Sequence, residues 1–449
     1  MKRFALILIV AGPLLAQAPP DAEIRAMLAE RIDALQRNVG IAVAVVEPAG
    51  RRFVNYGTFG VNDPRPVASD TVFEIGSVTK TFTSLLLADM VQRGEVSLDD
   101  PVAKYLPPDV KVPERNGKKI TLVDLATQTS GLPRMPSNFA PKDPNNPYAD
   151  YGLDRMFAFL SGYTLTRDIG EKYEYSNFGA ALLGNALAHR AGMDYESLVR
   201  ARITGPLKMQ STAIALSPEL KKRLASGHTD MRAPAANWDL TAFAGAGALR
   251  SDALDMLTYV AANLGYVDSP LAKAMAMMTM VRRPGPNKDI EIALAWHITH
   301  RGEREIVWHN GGTGGYRSWI GFDPKARVGV VALSNMSSAV GVDDIGMHLV
   351  DQTAPLAKLT PLKVHKEITL ETKVLDGFTG IYQFAPAVTL TVTRDGPQMY
   401  AQLTGQPRFE IFAETDHDFF LKVVDAQLTF EDGAVVLHQN GRDQKAKKQ

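Results

Sequence analysis

Apolar positions follow two rhythms along the chain, and the change from one to the other divides it into regions. Over residues 21–36, Ile24, Met27, Leu28, Ile32 and Leu35 recur at the spacing of one helix face. Residues 40–46 and 52–56 then flank Pro48-Ala49-Gly50 and predict a β-hairpin. Residues 77–92 carry Phe82, Leu85, Leu86, Ala88, Met90 and Val91, with Gly94 as the stop, which predicts a largely buried helix. From 98 to 270 the pattern alternates helices with long loops, including a loop-like stretch at 133–147 and a helix at 177–190 closed by Gly192. Strands return at 290–298, 305–309, 316–322 and 328–333. The expected class is α/β (α+β), in which a helical region is inserted between two halves of one antiparallel sheet.

The rhythm lapses over 354–370, where Pro355 and Pro361 mark a linker. Short apolar runs at 388–393, 398–403, 409–413, 419–424, 427–430 and 435–438 are separated by turns such as Asp395-Gly396 and Asp432-Gly433. They predict a small antiparallel β-barrel domain over 371–449, with 445–448 a solvated tail. At the other end, Lys2 and Arg3 precede an apolar run at 4–15 and Ala16-Gln17-Ala18, the small-x-small pattern of a signal cleavage site. The run has about 12 residues where a membrane span needs about 20. Residues 1–18 therefore read as an export signal, 19–353 as the main domain, and the protein as secreted or periplasmic.

Composition narrows the chemistry. Among 449 residues, 49 Lys+Arg balance 49 Asp+Glu, which leaves no basic footprint for nucleic acid. The absence of Cys excludes disulfides, a thiol nucleophile and thiolate metal sites, so covalent chemistry must use oxygen or nitrogen.

Ser77-Val78-Thr79-Lys80 opens the predicted buried helix, and a spacing of three puts Ser77 and Lys80 on one face. A serine hydroxyl is a weak nucleophile until a base takes its proton, and a lysine one turn away can do so if burial disfavours its charge. Tyr175-Ser176-Asn177 begins the second long helix, and His309-Asn310-Gly311-Gly312-Thr313-Gly314-Gly315 follows a strand, where glycines let another backbone approach. Individually each signal is weak, but together the order S-x-x-K, Y-x-N, H-x-G is specific.

With these motifs the chain resembles the serine β-lactamase and penicillin-binding-protein family, in its class C branch with the related D-aminopeptidases, DD-carboxypeptidases and esterases. The resemblance spans 22–349 and includes Thr121-Leu122-Val123-Asp124-Leu125, Thr129-Ser130-Gly131-Leu132-Pro133 and Gly205-Pro206-Leu207-Lys208-Met209. It implies Ser77 as nucleophile, with Lys80 and Tyr175 sharing the acid/base work. Asn177 would orient the substrate amide and Lys80, while His309, Gly311 and Gly312 would line the substrate, the amides of Ser77 and Gly312 forming the oxyanion hole. The implied activity is cleavage of amide bonds in D-Ala peptides through a serine acyl-enzyme, the alternatives being a carboxylesterase or a non-catalytic penicillin-binding sensor. The implied substrates are small molecules or peptides: peptidoglycan-type D-Ala peptides, β-lactams or esters. No cofactor, metal or nucleic acid is expected. The C-terminal segment resembles the small lipocalin-like β domain appended to some of these hydrolases.

Two departures bear on substrate choice. His309 and Asn310 stand where many members carry the Lys and Thr that hold a β-lactam carboxylate, and Gln128 replaces a frequent His. An imidazole with an ordinary pKa near 6.5 would favour neutral substrates at neutral pH and gain charge below about pH 6.5. A zinc site at His297, His300 and His309 is not expected, because 290–298 reads as strand and positions three apart face opposite ways. Gly245-Ala246-Gly247 lacks the lysine of a phosphate loop and reads as close packing beside the cleft, and Met275, Met277, Met278 and Met280 read as helix core or an apolar wall.

Overall fold

The computed structural model describes residues 18–363, 365–439 and 442–449. The export segment lies, apart from Ala18, outside the described residues. Helix α1 (Asp21–Ala29) continues through one π-helical turn, Glu30–Ala34, as the 21–36 pattern predicts. Strands β1 (Gly40–Glu47), β2 (Gly50–Gly60) and β3 (Asp63–Pro66) follow. Helix α2 (Thr79–Gln92), buried from Thr79 to Met90, and helices α3 (Asn177–Ala191) and α4 (Ala253–Asn263) belong to the inserted helical region. Then come β4 (Arg283–Asn287), β5 (Ile290–Ile292), β6 (His297–Arg301), β7 (Arg304–Gly312), β8 (Arg317–Asp323), β9 (Val328–Ser334) and helix α5 (Asp343–Val350).

All nine strands form one antiparallel sheet in the order β4-β5-β6-β7-β8-β9-β1-β2-β3, so the two ends of the main domain meet where β1 pairs with β9. Every residue of β1 is buried, and the period of two divides them between layers. Ala42, Ala44 and Val46 pack toward the helical region, whereas Ile41, Val43 and Val45 pack with Ile24 and Leu28 of α1 and Ile345 and Leu349 of α5. The result is a sheet between two helical layers.

The run expected as one strand at 290–298 is two strands. Ala293, Leu294, Ala295 and Trp296 make a turn in which Ala293 N–H donates to Trp296 O at 2.7 Å and Ala295 takes φ 64°. All four residues are buried, so the turn has no polar signature in the sequence.

Helix α6 (Thr372–Phe378) leads into a closed eight-stranded antiparallel barrel: β10 (Gly380–Ala385), β11 (Val388–Asp395), β12 (Gln398–Leu403), β13 (Phe409–Ala413), β14 (Asp418–Phe420), β15 (Ala426–Glu431), β16 (Ala434–Gln439) and β17 (Arg442–Lys448). The tail expected to be solvated is instead the closing strand: Tyr382 of β10 pairs with Lys448, and Ala446 is fully buried between exposed lysines. Closure removes both sheet edges. The barrel meets the main domain through the Arg37–Asp425 ion pair and the Asp425 N–H, which donates to Asp230 Oδ2 at 3.0 Å. Among the described residues no helix is long and apolar enough to cross a membrane.

Candidate active site

Ser77 stands in a 3₁₀ turn, Gly76–Val78, that feeds directly into α2. Gly76 takes φ +49°, and a Cβ there would stand 2.7 Å from the Gly312 nitrogen. A Cβ on Gly311 would lie 2.1 Å from Ile75 O and 3.0 Å from Ser77 N. The strand β7 therefore passes against the nucleophile's turn at a distance that only glycines permit. Ser318 Oγ fastens the two by donating to Ile75 O at 2.7 Å. Gly311 and Gly312 extend β7 and pair with Ser318 and Arg317, and Gly314 and Gly315 form the bend that leads into β8.

Lys80 is 1% exposed, and its Nζ lies 2.9 Å from Ser77 Oγ. It also donates to Ala246 O at 2.7 Å. The turn Ala244–Gly247 that supplies this carbonyl is held by Thr83 Oγ1, which donates to Gly245 O at 2.7 Å, and by the 2.9 Å that would separate a Cβ on Gly245 from the Gly184 Cα. Among the described residues no carboxylate pairs with Lys80. Burial, assisted by the Arg134 guanidinium, holds its ammonium pKa well below the usual lysine range. The same helix start gives Ser77 no capping bond; its hydroxyl is engaged by Lys80 and by Tyr175.

Tyr175 is fixed by Gln128, which accepts from Glu174 N–H through its backbone oxygen at 2.8 Å and from Ser176 N–H through Oε1 at 2.6 Å. The residue replacing a frequent His thus grips both neighbours of the tyrosine. Burial pushes the Tyr175 phenol above its ordinary pKa, so it holds its proton at neutral pH. Lys80 Nζ stands 4.9 Å, and the Arg134 guanidinium carbon 5.0 Å, from the ring centroid. Ser176, not Asn177, caps α3, with Oγ accepting Gly179 N–H at 2.8 Å. Asn177 Nδ2 faces Met135 Sδ at 3.8 Å and is not among the hydrogen-bond partners of Lys80.

His309 lies on the cleft side of β7, 1% exposed, with its ring 6.5 Å from that of Tyr175 and 5.2 Å from that of His297. Burial, His297 and Lys80 hold its pKa well below the ordinary histidine value. The expectation that it gains charge just below neutral pH is overturned by this desolvation. Asn310 alternates to the other face and donates to Asp343 through Nδ2. His297, weighed from the sequence only as a metal ligand, is 7% exposed and pushed down to about 4 by burial and Lys80. His300 points outward from the same strand, as its spacing predicts. It forms with Glu291 and Glu305 a triad of metal-ligand type, but Arg282 bridges both carboxylates at 3.1 and 2.9 Å, so their charge is already met.

The cleft thus unites Ser77, Lys80, Tyr175, Asn177, His309, Gly311 and Gly312, and adds Ala246 and His297, which the sequence suggested only as packing and as a rejected metal ligand, and Arg134, which it did not single out. A hydroxyl beside an unneutralised buried amine, a protonated phenol and a glycine strand is the apparatus of a serine acyl-transfer hydrolase. The sequence model of the β-lactamase family matches residues 25–352, and the chain belongs to that family of serine hydrolases. A domain of unknown function, DUF3471, matches 364–439. The D-alanyl-D-alanine-carboxypeptidase/endopeptidase AmpH of Escherichia coli K12 is 30% identical over 339 residues, covering 72% of this chain and 86% of that protein. Among solved structures, the β-lactamase/D-alanine carboxypeptidase of Yersinia pestis, complexed with citrate, superposes with a TM-score of 0.66 at 26% identity, over 75% of this chain and 99% of that one. The octameric penicillin-binding protein homologue of Pyrococcus abyssi shares the fold over 95% of this chain and 99% of its own, with a TM-score of 0.65 at 22% identity.

Proposed function

We propose that the protein is an exported hydrolase that cleaves amide bonds of D-amino-acid peptides, D-Ala peptides in particular, through an acyl-enzyme on Ser77. The observation that carries the reading is the 2.9 Å approach of Ser77 Oγ to a buried, uncompensated Lys80 Nζ. Desolvation makes Lys80 a neutral amine able to accept the serine proton, whereas Tyr175, held protonated, serves as donor to the leaving nitrogen. As Ser77 Oγ bonds to the scissile carbon, the carbonyl oxygen becomes an oxyanion facing the amides of Ser77 and Gly312. The C–N bond breaks as the nitrogen takes the Tyr175 proton, and Lys80 returns a proton to the phenolate. Water then attacks the ester through the same groups in reverse, releasing the acid and Ser77.

The likeness to a D-alanyl-D-alanine-carboxypeptidase over 72% of the chain supports the substrate class, and the apolar segment at 4–15 supports export to the periplasm or exterior. β-Lactams, cyclic amides, would be poor substrates of the same serine, because position 309 offers no cation to hold their carboxylate for acylation. The domain boundaries follow the sequence reading: 19–353 catalytic, 354–370 linker, 371–449 barrel. A carboxylesterase is the second reading, favoured by the uncharged His309. Release of D-Ala from D-Ala-D-Ala peptides, set against hydrolysis of p-nitrophenyl esters, separates the two. Peptide turnover supports the proposal, and ester turnover alone contradicts it.

A further inference from the structure

Arg134 follows the Thr129-Ser130-Gly131-Leu132-Pro133 stretch, and its place is set by its backbone oxygen, which accepts the N–H groups of Asn177 at 3.1 Å and Phe178 at 3.2 Å. Its side chain is exposed, and its guanidinium carbon lies 5.0 Å from the centroid of the Tyr175 ring. Among the described residues no carboxylate or carbonyl accepts from that guanidinium. The other cations around Ser77 are occupied. Lys80 is buried against Ser77 and Ala246 O, and Arg317, half-buried, donates through Nε to Ser338 O at 3.0 Å and lies near Asp343 and Asp230. His309 is buried and carries no charge to offer. Among the described residues one open fork of guanidinium donors therefore stands at the mouth of the cleft, over the residue that delivers a proton to the leaving group.

We propose that Arg134 determines specificity by binding a carboxylate on the leaving-group side of the scissile amide, so that the preferred substrates are peptides whose departing residue bears a free C-terminal carboxylate. A planar guanidinium matches a carboxylate with two parallel hydrogen bonds, and such charge-assisted pairs are the strong ones. Its position over Tyr175 places the bound anion on the leaving group and not on the acyl portion. The same cation favours the neutral form of Lys80, so that losing it slows acylation by any substrate. Carboxylate recognition is therefore read from a ratio between two substrates. The inference rests on the Ser77 acyl-enzyme reading.

The test compares kcat/KM for one D-Ala-D-Ala peptide with a free C-terminal carboxylate and the same peptide amidated, in the full-length enzyme and in Arg134→Gln, Arg134→Lys and Arg134→Glu. The acid-to-amide ratio should fall about tenfold or more in Arg134→Gln, be partly kept in Arg134→Lys and fall furthest in Arg134→Glu. Rising salt should lower the wild-type ratio and leave that of Arg134→Gln nearly flat. An unchanged ratio in both the Gln and Glu variants overturns the proposal, as does a wild type that is labelled at Ser77 by a fluorophosphonate yet cleaves neither peptide. Absence of labelling at Ser77 overturns the acyl-enzyme reading itself.

Discussion

Lys80 Nζ is held 2.7 Å from the carbonyl oxygen of Ala246, a residue 166 positions further along the chain, and this bond fixes the nitrogen that faces Ser77. A neutral amine has two donors and one lone pair. With one donor on Ala246 O, the lone pair is free to meet the Ser77 hydroxyl.

Lys80→Ala and Tyr175→Phe should each lower kcat by about 10² or more, since each removes part of one proton path. Combined, they should cost less than the product of the single losses, because members of one catalytic unit are not additive. Single-turnover acylation rates of the two single variants and the double variant check this. Strictly additive losses would place the two groups in separate steps.

Gly311→Ala should lose both activity and stability. Its new Cβ would stand 2.1 Å from Ile75 O, a backbone atom with little room to yield. Relief requires β7 to draw away from Ser77, at a cost of about 1–3 kcal/mol in stability. Thermal melting and kcat/KM measured together test it; a variant with wild-type melting and rate would mean that the close approach has no part in positioning the oxyanion donors.

These two groups of residues were unequally legible in the sequence. Ser77 and Lys80 sit one helical turn apart, so a local pattern reveals them, as it does Tyr175 and Asn177 at the start of α3. Ala246 contributes only a backbone oxygen, which no residue type announces. Arg134 looks like any surface cation until the fold lays it over Tyr175. The turn at Ala293–Trp296 was missed because its residues are apolar and buried, and β17 because Ala446 is its only buried side chain among charged neighbours.

The pH dependence of selectivity should be flat on the acid side. His309 stays neutral because burial holds its pKa well below 6.5. The ratio of kcat/KM for a penicillin to that for a neutral ester should therefore not change between about pH 8 and about pH 5.5 on account of this group. A ratio that rises with a midpoint near 6.5 and is flattened by His309→Gln would show that the imidazole titrates in the open cleft.

Stability should depend on His297. Its folded pKa is about 4 against an ordinary 6.5, so between those values the unfolded chain binds a proton that the folded one does not. Stability is therefore lost as pH falls from about 6.5 toward about 4, by about 3 kcal/mol in all. Urea midpoints at pH about 6.5 and about 5 should differ less in His297→Gln than in the wild type. Equal differences in the two proteins would contradict the assignment.

The most direct measurement is intact-protein mass spectrometry of the wild type and Ser77→Ala after treatment with a fluorophosphonate, followed by peptide mapping. Removing one hydroxyl that caps no helix should leave the fold unchanged. One adduct per chain is expected in the wild type, located on the peptide containing Ser77, and none in Ser77→Ala. An adduct on another residue, or labelling and turnover that persist in Ser77→Ala, would contradict it.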